Sequence, residues 1–276
     1  MKIDSHQHFW HYTPEEFGWI NQQMNVIRKD FLPADLKAEL DNADFDGSIA
    51  VQARQKPEET SWLLQLASNH SFIRGVVGWV DLRSKDLPEQ LELFTISKKL
   101  VGVRHVIHDE PDDDFMLRPD FQKGIKQLQK YGLTYDILIF PKHLPNTLQF
   151  VKAFPDQVFI IDHIAKPDIK NHVLNPWKEN MEKLAKYPNV HCKLSGMVTE
   201  ANWKGWKQED FNPYLEVVLE NFGTSRVMIG SDWPVCTVAG QYVKVMDIVR
   251  NYIQNLSATE QRAVLGENAH RIYNIK

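Results

Sequence analysis

His6 and His8 stand one residue apart at the end of the apolar run that opens the chain, Ile3-Asp4-Ser5-His6-Gln7-His8. In an extended strand, side chains two positions apart share a face, so both imidazoles and Asp4 project the same way. Two converging imidazoles suit a divalent cation, zinc first among them. The same pair also arises as hydrogen-bonded core histidines. Asp232 follows another apolar run, in Gly230-Ser231-Asp232-Trp233-Pro234. Its glycine and proline shape a turn that leaves the carboxylate at the end of a strand. The competing reading is a helix N-cap, which Pro234 delays. His163, in Asp162-His163-Ile164-Ala165-Lys166-Pro167, is a third strand-end imidazole, either ligand or core.

Other polar side chains fall at the ends of similar runs: Gln52 and Arg54, Trp79 and Asp81, Arg104 and His105, Tyr135 and Asp136, Lys193 and Ser195. Polar ends on every run are odd for a purely structural sheet. Parity turns His191, Lys193 and Ser195 to one face of their strand; if the apolar face meets helices, Lys193 points inward. A buried lysine needs a carboxylate, and Asp81 or Asp162 is the candidate.

The elements that must position these residues are eight short runs, at 2–8, 48–53, 73–81, 100–107, 134–140, 158–165, 190–196 and 226–232. Helical periodicity lies between them, at 33–44, 58–69, 121–131, 144–154, 176–187 and 211–222. Several of these begin on a proline and end on Asn or Gly. The first run starts at residue 2 and the eighth at 226, about 32 residues per strand-and-helix unit. Eight such units predict an α/β fold: a single (β/α)₈ barrel over 1–276, with an open parallel sheet as the alternative. Active sites of such barrels lie at the C-terminal strand ends, where the polar residues are. Ser257-Ala258-Thr259-Glu260 opens a C-terminal helical tail that runs to Tyr273, read as a structural cover on the barrel. The acidic run from Asp109 to Asp114 reads as a solvated loop.

Composition excludes more than it assigns. The 276 residues carry a formal charge of -4, with 43% hydrophobic and 25% charged side chains. That is an ordinary globular composition, with no global attraction to nucleic acid or anionic membrane. There is no apolar leader and no run of ~20 apolar residues. With only Cys192 and Cys236, a reduced compartment is implied, and the cytoplasm is the expected location. The oligomeric state stays open.

The motifs around His6 and His8, His163 and Asp232, with Val51-Gln52-Ala53-Arg54, Gly102-Val103-Arg104-His105, Lys193-Leu194-Ser195-Gly196 and the stretch from Gly266 to Tyr273, resemble the amidohydrolase superfamily. Within it they are most similar to the family 2 type and its sugar-lactonase branch, the fuconolactonases and rhamnonolactonases. The resemblance runs from residue 3 to 273 and implies a (β/α)₈ barrel that hydrolyses a carbonyl bond with activated water. Binuclear members place a bridging Lys or Glu on strand four and a histidine on strand five. This chain has neither, so at most one divalent ion, zinc by its donors, fits among His6, His8, His163 and Asp232. The branch includes relatives that work without metal, and no organic cofactor is implied.

On this reading Asp232 is the general base toward water. A bound ion, or protonated His163 with His6 and His8, polarises the lactone carbonyl. Asp232 or His105 returns a proton to the leaving oxygen. Arg54 and Arg104 bind the sugar-acid oxygens as planar forks, with Gln52 and Lys193 as further substrate contacts. Trp79, Trp203 and Trp233 offer faces to a sugar ring. The alternatives are another hydrolase or a non-oxidative decarboxylase of the superfamily, and, outside enzymes, a sugar-acid binding protein.

Overall fold

The apolar runs pair in chain order because each is too hydrophobic to leave either face in water. They form β1 (Ile3–Gln7), β2 (Gly47–Val51), β3 (Ile73–Gly78), β4 (Leu100–Val106), β5 (Thr134–Leu138), β6 (Phe159–Ile161), β7 (Val190–Leu194) and β8 (Val227–Ile229). Each is parallel to the next, and nearly every strand residue is buried, as parallel strands covered on both faces require. The helices between them are α1 (Pro33–Asn42), α2 (Pro57–Asn69), α3 (Leu87–Thr95), α4 (Pro119–Lys130), α5 (Leu144–Ala153), α6 (Trp177–Leu184), α7 (Gln208–Phe222) and α8 (Tyr242–Tyr252). Proline opens α1, α2 and α4, where its missing N–H is no loss. This computed structural model describes residues 1–276 and is a (β/α)₈ barrel. None of its helices is long and apolar enough to cross a membrane.

The barrel closes beyond the end of β8. The Asp232 amide donates to the His6 carbonyl at 2.8 Å, and the His8 amide to the Trp233 carbonyl at 2.7 Å. Asp4 fastens the same seam: its carboxylate accepts from the Ser231 amide (2.8 Å), the Ser231 hydroxyl (2.6 Å) and the Tyr242 hydroxyl (3.0 Å). Burial pushes the Asp4 carboxyl up to about 6, against the pull of Ser231. The seam therefore carries His6, His8 and Asp232 on one junction.

Two expectations are corrected. The sixth run stops being a strand at Ile161 rather than continuing to 165. His163, Ile164, Ala165 and Lys166 all take positive φ, of 54°, 48°, 60° and 50°, forming one left-handed turn. Non-glycine residues resist that region by about 1–2 kcal/mol each, so surrounding contacts must hold it. The Trp177 indole donates to the Ile164 carbonyl at 2.7 Å. Gly196, at φ +62°, is what lets the turn close: a Cβ there would lie 2.4 Å from His163 Nδ1.

The tail is the second. It keeps the Ser257–Glu260 capping box, yet it is two short helices, α9 (Ala258–Arg262) and α10 (Asn268–Ile272), rather than one. It breaks at Gly266, which lies against the first residues of the chain; a Cβ there would be 2.3 Å from the Met1 carbonyl oxygen. Beyond the break, Ala269, Ile272, Tyr273 and Ile275 pack with Ile3, Ile49, Val51, Val77, Val101, Ile160 and Met228. The tail thus plugs the N-terminal end of the barrel from inside, opposite the polar strand ends.

Candidate active site

Three imidazoles and one carboxylate meet at the C-terminal end of the barrel. His6 Nε2 and His8 Nε2 are 3.2 Å apart. Asp232 Oδ1 lies 3.4 Å from His8 Nε2, 3.8 Å from His163 Nε2 and 3.9 Å from His6 Nε2. All four residues are buried, and Asp232, like His163, has positive φ. The seam brings in His6, His8 and Asp232, and the left-handed turn brings in His163.

The outer nitrogens decide which way each ring serves. His8 Nδ1 is 2.8 Å from the Val51 carbonyl, which can only accept, so Nδ1 holds the proton and Nε2 presents a lone pair to the cluster. His163 Nδ1 meets the Ser195 hydroxyl at 2.9 Å. His6 Nδ1 has Asp162 Oδ1 at 3.3 Å. Anchored outer nitrogens and converging inner ones are the arrangement of metal-binding histidines. Burial holds His6 and His163 neutral, well below the usual imidazole range. His6 and His8 with Asp232 form an N/O set that fits a divalent ion such as zinc, and His163 Nε2 lies 3.8 Å from the same carboxylate oxygen. Protonated His163, expected above as the alternative to an ion, is disfavoured by that burial and by His6 beside it.

A layer of buried charge supports this floor. Lys193 Nζ contacts Asp136 Oδ2 at 2.5 Å, Asp162 Oδ1 at 3.0 Å and His6 Nδ1 at 3.1 Å. Arg104 sends one terminal nitrogen to Asp162 Oδ2 (3.1 Å) and the other to the Gln52 carbonyl. Burial alone would raise Asp162, but Lys193, His6 and Arg104 hold it well below the usual carboxylate range. Asp162, more than Asp81, is therefore the lysine's partner, and Asp136 was missed.

Above the floor opens a cavity of about 340 Å³. His8, His163, Asp232 and Arg104 form its base. Its apolar and aromatic lining comes from Trp10, Trp19, Met24, Phe140, Trp203 and Val235, and its polar lining from His108, Asp109, Lys166, Thr199 and Glu200. Of this lining, Trp203 is the residue expected from the sequence to offer a face to a sugar ring. Asp109 belongs to the run read as a solvated loop and is exposed as the run's later members are, while also lining the cavity. Lys166 and Glu200 pair at 2.7 Å.

Several expected substrate contacts lie elsewhere. Arg54 bonds Glu59 and, at 2.8 Å, Glu16, an ion pair over the loop after β2 that keeps it out of the cavity. His105 turns outward because Arg104 turns inward. Its Nδ1 accepts from the Trp79 indole (3.2 Å) and its Nε2 donates to Glu110 (2.6 Å), so no nitrogen is left for acid catalysis and Trp79 is engaged with it. Trp233 packs edge-on to Phe31 and Phe9, outside the cavity. Gln52 is buried behind Arg104, its amide donating to the Arg104 carbonyl at 3.3 Å. Lys193 lies wholly beneath the floor. These five strand-end side chains and Trp233 answer to neighbours on adjacent strands and loops, which local parity does not reveal.

Comparison with known proteins converges with this geometry. The amidohydrolase family model matches residues 3–275. An L-fucono-1,5-lactonase of Burkholderia multivorans is 39% identical, over 99% of this chain and 96% of its own. An L-rhamnono-gamma-lactonase of Scheffersomyces stipitis is 28% identical, over 63% of this chain and 59% of its own. The crystal structure of an amidohydrolase from Burkholderia multivorans with bound zinc superposes with a TM-score of 0.96, at 38% identity over the full length of both chains.

Proposed function

The chain belongs to the amidohydrolase family, and we propose that it hydrolyses a sugar lactone of the L-fucono-1,5-lactone kind, with Asp232 activating the attacking water. The observation that carries this reading is the convergence of three imidazoles and Asp232 at the base of a cavity lined by both aromatic and polar side chains. Aromatic side chains suit the C–H face of a sugar ring, and polar ones suit its hydroxyls.

A lactone is a cyclic ester, so hydrolysis needs a nucleophile, a place for negative charge and a proton for the ring oxygen. Asp232 Oδ1 faces the imidazoles, which leaves Oδ2 to take the proton from water. His6, His8, His163 and Asp232 would hold a zinc ion, which supplies Lewis-acid polarisation of the carbonyl when bound. Arg104 is the permanent cation at the cavity base, and its guanidinium favours charge on the carbonyl oxygen and on the product carboxylate. As the ring C–O bond breaks, Asp232 returns its proton to the leaving oxygen, because His105 is turned away. The product is the open sugar acid, and the Asp232 carboxylate is restored. Zinc as resident ion and the cytoplasm as location belong to the same proposal.

The test is a pH-indicator screen of aldonolactones, including L-fucono-1,5-lactone, with and without chelator and alongside metal analysis. Turnover of a deoxy-hexonolactone is the expected result; silence toward every lactone overturns the reading.

A further inference from the structure

His6 Nδ1 has two neighbours that ask for opposite tautomers. Asp162 Oδ1, at 3.3 Å, can only accept, so it wants the proton on Nδ1. Lys193 Nζ, at 3.1 Å, can only donate, so it wants Nδ1 bare. His6 Nε2 offers a lone pair to the cluster only if Asp162 wins. What restrains the ammonium is its pull toward Asp162, at 3.0 Å, and Asp136, at 2.5 Å.

Asp136 is in turn fixed from the far side of the barrel. Its Oδ2 accepts from the Tyr273 hydroxyl at 2.6 Å, and its Oδ1 from the Thr134 hydroxyl at 3.3 Å. The Tyr273 ring lies under the lysine, with Nζ 5.5 Å from its centroid. Tyr273, Asp136 and Lys193 are all buried. An unbroken line of polar contacts therefore runs from the C-terminal tail through the barrel to a candidate ligand nitrogen.

We propose that Tyr273 is a positioning residue of the active site: its hydroxyl orients Asp136, which holds Lys193 away from His6 Nδ1 and so keeps the Nε2 lone pair directed at the cluster. The tail thereby belongs to the site as well as to the fold. The proposal rests on the metal and lactonase readings given above, and its metal arm is independent of any lactone.

The experiment compares Tyr273→Phe, which removes one hydroxyl, with Ile275→Ala, which loosens the same plug without touching the polar line. Zinc affinity is read by competition with a chromophoric chelator, and kcat, KM and Tm are measured in parallel. Outer partners of metal ligands typically change affinity or activity by about 10–100-fold. Tyr273→Phe is expected to weaken zinc binding and lower kcat by about tenfold with KM unchanged, whereas Ile275→Ala lowers Tm with zinc affinity and kcat near wild type. Unchanged zinc affinity in Tyr273→Phe overturns the proposal, as does an equal loss in both variants or a wild type that binds no zinc. Zinc weakening in a protein that turns over no lactone supports the positioning role and rejects the lactonase reading alone.

Discussion

The two ends of the barrel interior hold their polar groups by opposite means. At the C-terminal end, imidazole nitrogens face one another and a carboxylate across 3.2 to 3.9 Å, and two of the residues involved sit in left-handed backbone. At the N-terminal end, aliphatic side chains close around Tyr273, and its hydroxyl is matched to Asp136 at 2.6 Å. Ligand-type nitrogens and a carboxylate gathered this closely suit a cation or substrate between them, so the upper end is built for a guest and the lower end for closure. At these two sites, polar atoms converging on one point mark the chemistry, and a one-to-one pairing of hydroxyl with carboxylate marks the closure. Lys193 is the boundary, since it touches both.

The sharpest way to break this contrast is Asp232→Asn. Loss of a general base lowers kcat by about 10²–10⁴-fold, and a site built for chemistry rather than stability leaves Tm near wild type. Near-normal lactone turnover would remove Asp232 from its role, and a large drop in Tm would erase the distinction between the ends. Lys193→Met tests the boundary: Asp136 and Asp162 are left as buried, under-compensated charges, and unfolding in urea should show a loss of about 3–5 kcal/mol. A stable Lys193→Met protein would mean the charged layer is not needed to hold the floor.

His191, at the lower end of β7, sharpens the comparison through pH. Burial, with Arg271 and Arg226 nearby, lowers its imidazole to about 4. The unfolded chain therefore binds a proton there between about pH 6.5 and 4 while the folded chain does not, so stability is full above that window and falls as the pH drops through it. His191→Gln is expected to flatten this part of the Tm-versus-pH curve, and an unchanged slope would assign the acid sensitivity elsewhere. The smallest effect belongs to Ala165→Gly. At φ 60° a glycine relieves left-handed strain, so thermal unfolding should show a gain of about 1 kcal/mol. A loss instead would mean that this turn carries no strain.

The amidohydrolase motifs and the strand-end positions of His6, His8, His163 and Asp232 were legible in the residues, because strand periodicity and turn chemistry are local. Parity also separates Arg104 from His105, yet it does not say that Glu110 and Trp79 occupy both nitrogens of the outward ring. Trp10, Trp19 and Met24 escaped notice because they enter the cavity from an irregular segment after β1, with no period to reveal them. Arg54 escaped for a similar reason: a strand-end arginine is equally suited to substrate or to Glu59, and proximity alone decides.

By itself, then, the sequence determined the recurrence of strand and helix and the residue types delivered to one end of the barrel. Those follow from which side chains avoid water and which alternate along a strand. The tertiary structure decided the left-handed turn that aims His163, the division of Lys193 between two carboxylates, and the docking of Tyr273 beneath them. Asp136 and Tyr273 are 137 positions apart in the chain. Hydrogen bonds and ion pairs depend on ångström-scale distances that only the closed barrel sets, so no local pattern along the chain encodes them.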